Sequence, residues 1–285
     1  MSALAISRLL ALACALLFST GGVAIKSTSF GPWQVASFRS AIAAVAVMAL
    51  VPAARRGWSW RVLPAGAAYA AMLILFVCAT KLTTSANAIF LQSTAPLWVL
   101  LLGPVLLKER ARRSDLVFAA VVAIGLSLFF VARETAGALA PDPVRGNLLG
   151  ALSGVAWALV VMSLRWLGKH THNGDGALAS VVAGNAMAFL IALPLALPAP
   201  AARPTDWAIV IYLGVFQVGL AYLLLSRAIR HIPAFEMTTL LLVEPVFNPI
   251  WTWMVQGERP SAWALAGGAL ILTATFLHTW RATPR

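Results

Sequence analysis

Runs of about 17–25 predominantly apolar residues are long enough to cross a bilayer as helices. This chain contains ten of them, at approximately 7–25, 34–52, 62–80, 84–106, 114–132, 146–166, 177–198, 206–225, 234–256 and 261–280. The gaps between them are short, hold most of the Arg, Lys, Asp, Gly and Pro, and leave no room for a soluble domain. Composition agrees. Of 285 residues, 61% are hydrophobic and 11% charged, with a mean hydropathy of +0.86. A soluble domain carries roughly 25% charged and about 45–50% apolar residues. The runs do not alternate apolar and polar residues with a period of two, which excludes a membrane β-barrel. The chain reads as an all-α integral membrane protein with ten transmembrane helices.

The net charge of +12 would suggest nucleic acid in a soluble protein. Here the basic residues lie in the gaps and report orientation instead. Fourteen of the 21 Lys and Arg fall on the side of Arg8, Arg55 and Arg56; six fall on the side of Lys26, Lys81 and Arg203; Arg39 lies within a span. Basic residues concentrate in the cytoplasmic gaps of membrane proteins, so both termini are expected in the cytoplasm. Cys14 and Cys78 have no close-spaced partner and read as small buried hydrophobes.

The halves repeat. Ala79, Lys81, Pro96, Glu109 and Arg110 recur 149 residues later as Ala228, Arg230, Pro245, Glu258 and Arg259. Phe18 and Lys26 align with Trp157 and Arg165 at a shift of 139. This predicts one repeat over 1–135 and a second over 144–285. It also argues that the first run is a retained helix rather than a cleaved signal peptide, because the sixth run is its counterpart. Five spans per half is an odd number, so the halves are expected to cross in opposite directions, an arrangement that secondary transporters use for alternating access.

These paired motifs, with Arg39 in the second span, resemble the drug/metabolite transporter superfamily, and within it the EamA-type ten-helix members. The narrower likeness is to YddG-type exporters of aromatic amino acids. The resemblance implies a secondary transporter in the cell inner membrane that exports amino acids, including aromatic or other apolar ones, or related small metabolites. Nucleosides, sugars and cationic drugs are alternative cargoes of the same fold. It also implies a structural role for Arg39, and for a carboxylate at Glu244.

Glu244 is the acidic residue deep inside a span. Intramembrane carboxylates are costly and mark function by default. Three readings stay open for Glu244: it binds a proton, it binds a substrate amine, or it satisfies backbone amides beside Pro245. Arg39 reads as snorkelling to the outer surface or making a structural hydrogen bond; the alternative is a partner for Glu244 or for a substrate carboxylate. Pro96 and Pro245 are candidate hinges or static kinks. Most tryptophans fall near span ends, as an interfacial belt requires, but Trp157 is central and its repeat counterpart Phe18 is aromatic. Phe18 and Trp157 are therefore candidate cavity walls, against the alternative of core packing. Phe76, Phe90, Trp98, Tyr222 and Gln92 are weaker candidates for the same cavity.

No Gly-rich phosphate loop and no His-Glu-x-x-His occurs. ATP-driven pumping by this chain, a metal site and catalysis are not expected, so no catalytic residue and no cofactor is assigned. A membrane enzyme or a channel is the reading from a different class. The expected partners are a small-molecule substrate and the lipid bilayer, with no nucleic acid; a monomer is compatible with the sequence.

Overall fold

The computed structural model describes residues 3–106, 113–131, 136–170, 176–199, 201–228 and 240–282. Among them the protein is all-helical, with no strand; a single bridge joins Gly137 and Ala140 in a loop. The first expected run is helix α1 (Ala3–Ser19) and α2 (Gly21–Ser27), broken at Thr20. Next come α3 (Pro32–Leu50) and α4 (Val62–Leu82), then α5 (Ser85–Gln92) and α6 (Ala95–Leu106), which share one run. Helix α7 (Arg113–Val131) ends the first half. The second half holds α8 (Pro143–His170) and α9 (Gly176–Ala196). After these, α10 (Pro204–Tyr212) continues through a π-helical stretch at Leu213–Leu220 into α11 (Ala221–Ala228). Helices α12 (Val243–Gln256) and α13 (Ala262–Ala282) complete it. Seven segments among the described residues are long and apolar enough to cross a membrane, and Val117–Val131 and Ala262–His278 are shorter apolar helices. Positions 234–239 of the ninth expected run, and Glu109, Arg110 and Arg230 of the repeat motifs, lie outside the described residues.

Side chains sort as lipid solvent demands. Leu50, Val105, Leu190, Met254 and other large apolar residues face outward, while Ala11, Ala36, Ala43, Ala79, Ala88 and Ala188 are buried. Hydrocarbon supplies no drive to hide leucine. Helices instead associate by close packing, which small residues permit. Gly66 of α4 and Gly184 of α9 show this: a Cβ on Gly184 would stand 2.9 Å from the Gly66 carbonyl oxygen and 2.7 Å from the Tyr69 Cβ.

The main helix contacts between the halves are kept when the halves are exchanged. Counting spans along the chain, span 3 packs on span 6 as span 8 packs on span 1. Span 4 packs on span 6 as span 9 packs on span 1, and span 3 on span 7 as span 8 on span 2. The pairs 2–7 and 5–10 map onto themselves. The chain thus has a two-repeat fold whose halves interlock rather than standing side by side.

The two prolines keep the repeat but not the expected form. A proline inside a continuous helix removes a hydrogen bond and kinks it. Pro96 and Pro245 instead lie in the first turns of α6 and α12, where the amides have no intrahelical acceptor. Turns at Ser93–Thr94 and Leu242 precede them. The feature repeated in both halves is a helix restart.

Candidate functional site

A polar cluster closes one end of the bundle, and most of its bonds cross between halves. The Lys26 ammonium lies 3.2 Å from Glu258 Oε1, with both side chains almost fully buried. Lys26 also donates to the carbonyls of Thr83, at 2.8 Å, and Leu139. The Ser85 amide donates to Glu258 Oε1 at 2.9 Å, and the Ser85 hydroxyl donates to Asn248 Oδ1. Gly257 positions Glu258: it ends α12 with a φ of 68°, a left-handed conformation that suits glycine. Nearby, buried Asp206 accepts from the Ser29 amide and hydroxyl, at 2.6 and 2.7 Å, and from Thr28 Oγ1 at 3.0 Å. Lys81 donates to the Thr28 carbonyl at 2.7 Å. Asn147 of α8 accepts from Thr83 Oγ1 and Asn87 Nδ2. Burial raises the Glu258 carboxyl above the usual carboxylate range, while the Lys26 ammonium and the Ser85 amide act against that rise.

Deeper in the bundle, aromatic residues from both halves meet. The Tyr222 ring of α11 packs edge-on against Phe18 of α1, with centroids 5.3 Å apart, and against Tyr69 of α4, at 5.5 Å. Trp157 of α8 packs on the same cluster as Tyr69 and Tyr222, and also on a second cluster with Trp98. Arg39 lies seven residues into α3, about two turns, and is 2% exposed. It therefore does not snorkel: its guanidinium lies inside, within electrostatic reach of Tyr69, Tyr222 and Cys78. The small Gly214 lets the π-helical stretch pack against the Arg39 turn of α3, where a Cβ would meet the Arg39 carbonyl at 2.9 Å. The π-helical turn thus opposes a buried charge, a position where such turns often serve function.

Glu244, half-buried in the first turn of α12, is within electrostatic reach of Tyr222 and Cys14. Arg39 and Glu244 do not form an ion pair with each other. Neither pairs with another charge among the described residues.

The remaining expected residues fall elsewhere. Phe90 packs on Phe129 and Gly268, toward α7 and α13, and Phe76 lies buried in that larger core. Trp98 donates to Thr94 Oγ1 at the α5–α6 break, at 3.2 Å. Gln92 lies at the same break, with its buried Nε2 unpaired. Pro96 and Pro245 begin helices, as described above. Phe18, Trp157, Tyr222 and Arg39 are thus brought to one place, with Glu244 at its edge, while Phe76 and Phe90 are not. The sequence reading missed Tyr69 and Asn185, polar residues within apolar runs, and the Lys26–Glu258 pair. Both members of that pair were visible as repeat positions.

The profile of the EamA-like transporter family matches residues 5–131 and 144–280. The chain is 27% identical to the pseudopaline exporter CntI of Pseudomonas aeruginosa strains UCBPP-PA14 and PAO1, covering 93% of each protein. It is 23% identical to an uncharacterized transporter of Methanothermobacter thermautotrophicus, over 73% of this chain and 60% of that protein. A solved crystal structure shares its fold, with a TM-score of 0.60 at 21% identity, covering 98% of this chain and 99% of that one. The named relatives are pseudopaline exporters, not aromatic amino-acid exporters of the YddG type.

Proposed function

The chain belongs to the EamA-like transporter family of the drug/metabolite transporter superfamily, and from that premise we propose that it exports amino acids or related small metabolites across the inner membrane by alternating access. Aromatic and other apolar amino acids, the cargo of YddG-type exporters, are the preferred class. In this reading the halves are inverted repeats, the termini are cytoplasmic, and the chain moves its substrate without altering it. The observation that carries the reading is the polar seal at Lys26, Glu258, Asp206 and Thr28. Most of its bonds join one half to the other, so rocking of the halves would break them together. A carrier needs such a barrier on one side of its site, and one that can be dismantled. Behind it, Phe18, Tyr69, Trp157 and Tyr222 offer an apolar wall drawn from both halves.

The likeness to pseudopaline exporters favours a second reading, export of pseudopaline or a metabolite of that kind. Nucleosides, sugars and cationic drugs are further cargoes to test. Substrate counterflow in liposomes holding only the purified protein decides among them. Saturable exchange of labelled amino acids supports the first reading. Exchange of none of them, alongside exchange of another class, replaces it. Accumulation driven by a pH gradient supports proton antiport, and equilibration alone supports facilitated diffusion.

A further inference from the structure

Arg39 and Glu244 are opposite charges in the membrane interior, and each lies within electrostatic reach of Tyr222 without pairing with the other. Two charges at this depth with no counter-charge among the described residues are costly. Mutual pairing would be the least costly remedy, and the fold does not use it. Arg39 belongs to the first half and Glu244 to the second.

The guanidinium is also short of partners. Arg39 Nε is buried without a hydrogen-bond partner, and beside it the Tyr69 hydroxyl interacts with Tyr222 and Asn185. Arg39, Tyr69 and Asn185 are only 2%, 2% and 1% exposed. Asn185 is held by its own amide, which donates to the Val181 carbonyl at 2.9 Å, so its Oδ1 is not free to turn away. Unpaired buried groups are uncommon in native proteins and call for an explanation such as a ligand. Guanidinium and phenol together make a donor set for a carboxylate, which arginine binds by its planar fork. Glu244, within electrostatic reach of Tyr222, is an acceptor for an ammonium. The edge-packed rings of Tyr222 and Phe18 suit an apolar or aromatic group.

We propose that this is a zwitterion site: Arg39, with Tyr69, binds the substrate carboxylate, Glu244 binds its ammonium, and the apolar side chain lies against Phe18 and Tyr222. The assignment rests on the transport reading above and names the residues that would hold each end of that preferred class of substrate. It also gives a physical link between binding and movement. A ligand held by one charge from each half responds to their relative position and neutralises both charges as they move.

The test compares phenylalanine and leucine with phenethylamine, which lacks the carboxylate, and 3-phenylpropanoate, which lacks the ammonium. Each is measured as a competitor of labelled phenylalanine counterflow, and separately by the shift it gives in the melting temperature of the detergent-purified protein. With wild-type protein the zwitterions should compete at least tenfold better than either analogue. In Arg39→Gln the preference for phenylalanine over phenethylamine should collapse, while its preference over 3-phenylpropanoate survives. Glu244→Gln should show the reverse. Equal competition by all the compounds, or preferences that survive both substitutions, overturns the proposal. The wild-type comparison decides it even where a variant does not fold. If no labelled compound exchanges but the zwitterions alone raise the melting temperature, the transport reading fails and the site stands. If they neither compete nor raise the melting temperature, the site is refuted.

Discussion

Glu258 accepts both the Lys26 ammonium and the Ser85 backbone amide on its Oε1, and so ties the loop after α12 to two helices of the other half. Burying two charges is repaid only when geometry and extra hydrogen bonds are good. Breaking such a pair leaves one charge stranded, at a cost of about 3–5 kcal/mol. Glu258→Gln and Lys26→Met should therefore each lower stability by an amount of that order, measured by thermal unfolding in detergent. The double variant Lys26→Met/Glu258→Met should recover part of the loss, since it strands no charge. A double variant as unstable as both single losses added would show that the residues act separately.

The cost of Lys26→Met should depend on pH. Burial already raises the Glu258 carboxyl, and Lys26 is the nearby cation that opposes the rise. Without Lys26 the folded-state pKa rises further above the unfolded value of about 4.3. A raised acid takes up its proton more readily when folded, so its stability term is fully present below the unfolded pKa and is lost as pH rises through the folded one. Acidification from neutral pH toward about 4.3 should then narrow the gap in melting temperature between Lys26→Met and wild type. Asp206 is present in both proteins; Lys81, which feels the Lys26 charge, is relieved of that like-charge repulsion in the variant across the whole acid range. A gap that widens on acidification would contradict burial as the dominant cause.

Gly257 holds Glu258 in place through a φ of 68°. No atom lies within 4 Å of a Cβ built there, so the cost of Gly257→Ala is conformational rather than steric. It should be about 1–2 kcal/mol, the penalty of left-handed backbone for an L-residue. Gly184→Ala is the opposite case. Its Cβ would stand 2.7 Å from Tyr69 Cβ and 2.9 Å from the Gly66 carbonyl, so α4 and α9 must part. Overpacking of this kind costs about 1–3 kcal/mol, and by displacing Tyr69 it should also weaken phenylalanine competition in counterflow.

How far the sequence carries the structure can be read from particular residues. The repeat placed Phe18 opposite Trp157 and Pro96 opposite Pro245, and both pairings have structural counterparts. Such pairings are legible because symmetry leaves matched residues at a fixed separation. Depth and facing are less legible. Lys26 and Glu258 sit in gaps by hydropathy, yet both side chains are buried, because partners distant in sequence neutralise them. Arg39 reads as a snorkelling side chain from its nearness to a span end, but its helix is enclosed by α9 and the π-helical stretch. Tyr69 and Asn185 lie in runs so uniformly apolar that nothing in the pattern distinguishes the inward face from the lipid face.

The orientation drawn from the charge count is open to a direct chemical test. Both native thiols, Cys14 and Cys78, are buried and should remain silent to a membrane-impermeant maleimide. Ser59 and Ala138 are exposed in loops at opposite ends of the bundle, the first beside the basic Arg55 and Arg56 and the second beside the Lys26 seal. In intact cells Ala138→Cys should label and Ser59→Cys should not, and permeabilising the cells should reveal Ser59→Cys. Labelling of Ser59→Cys alone in intact cells would invert the topology. The Lys26–Glu258 seal would then lie at the cytoplasmic end, and the structure would represent the carrier closed to the cell interior rather than to the outside.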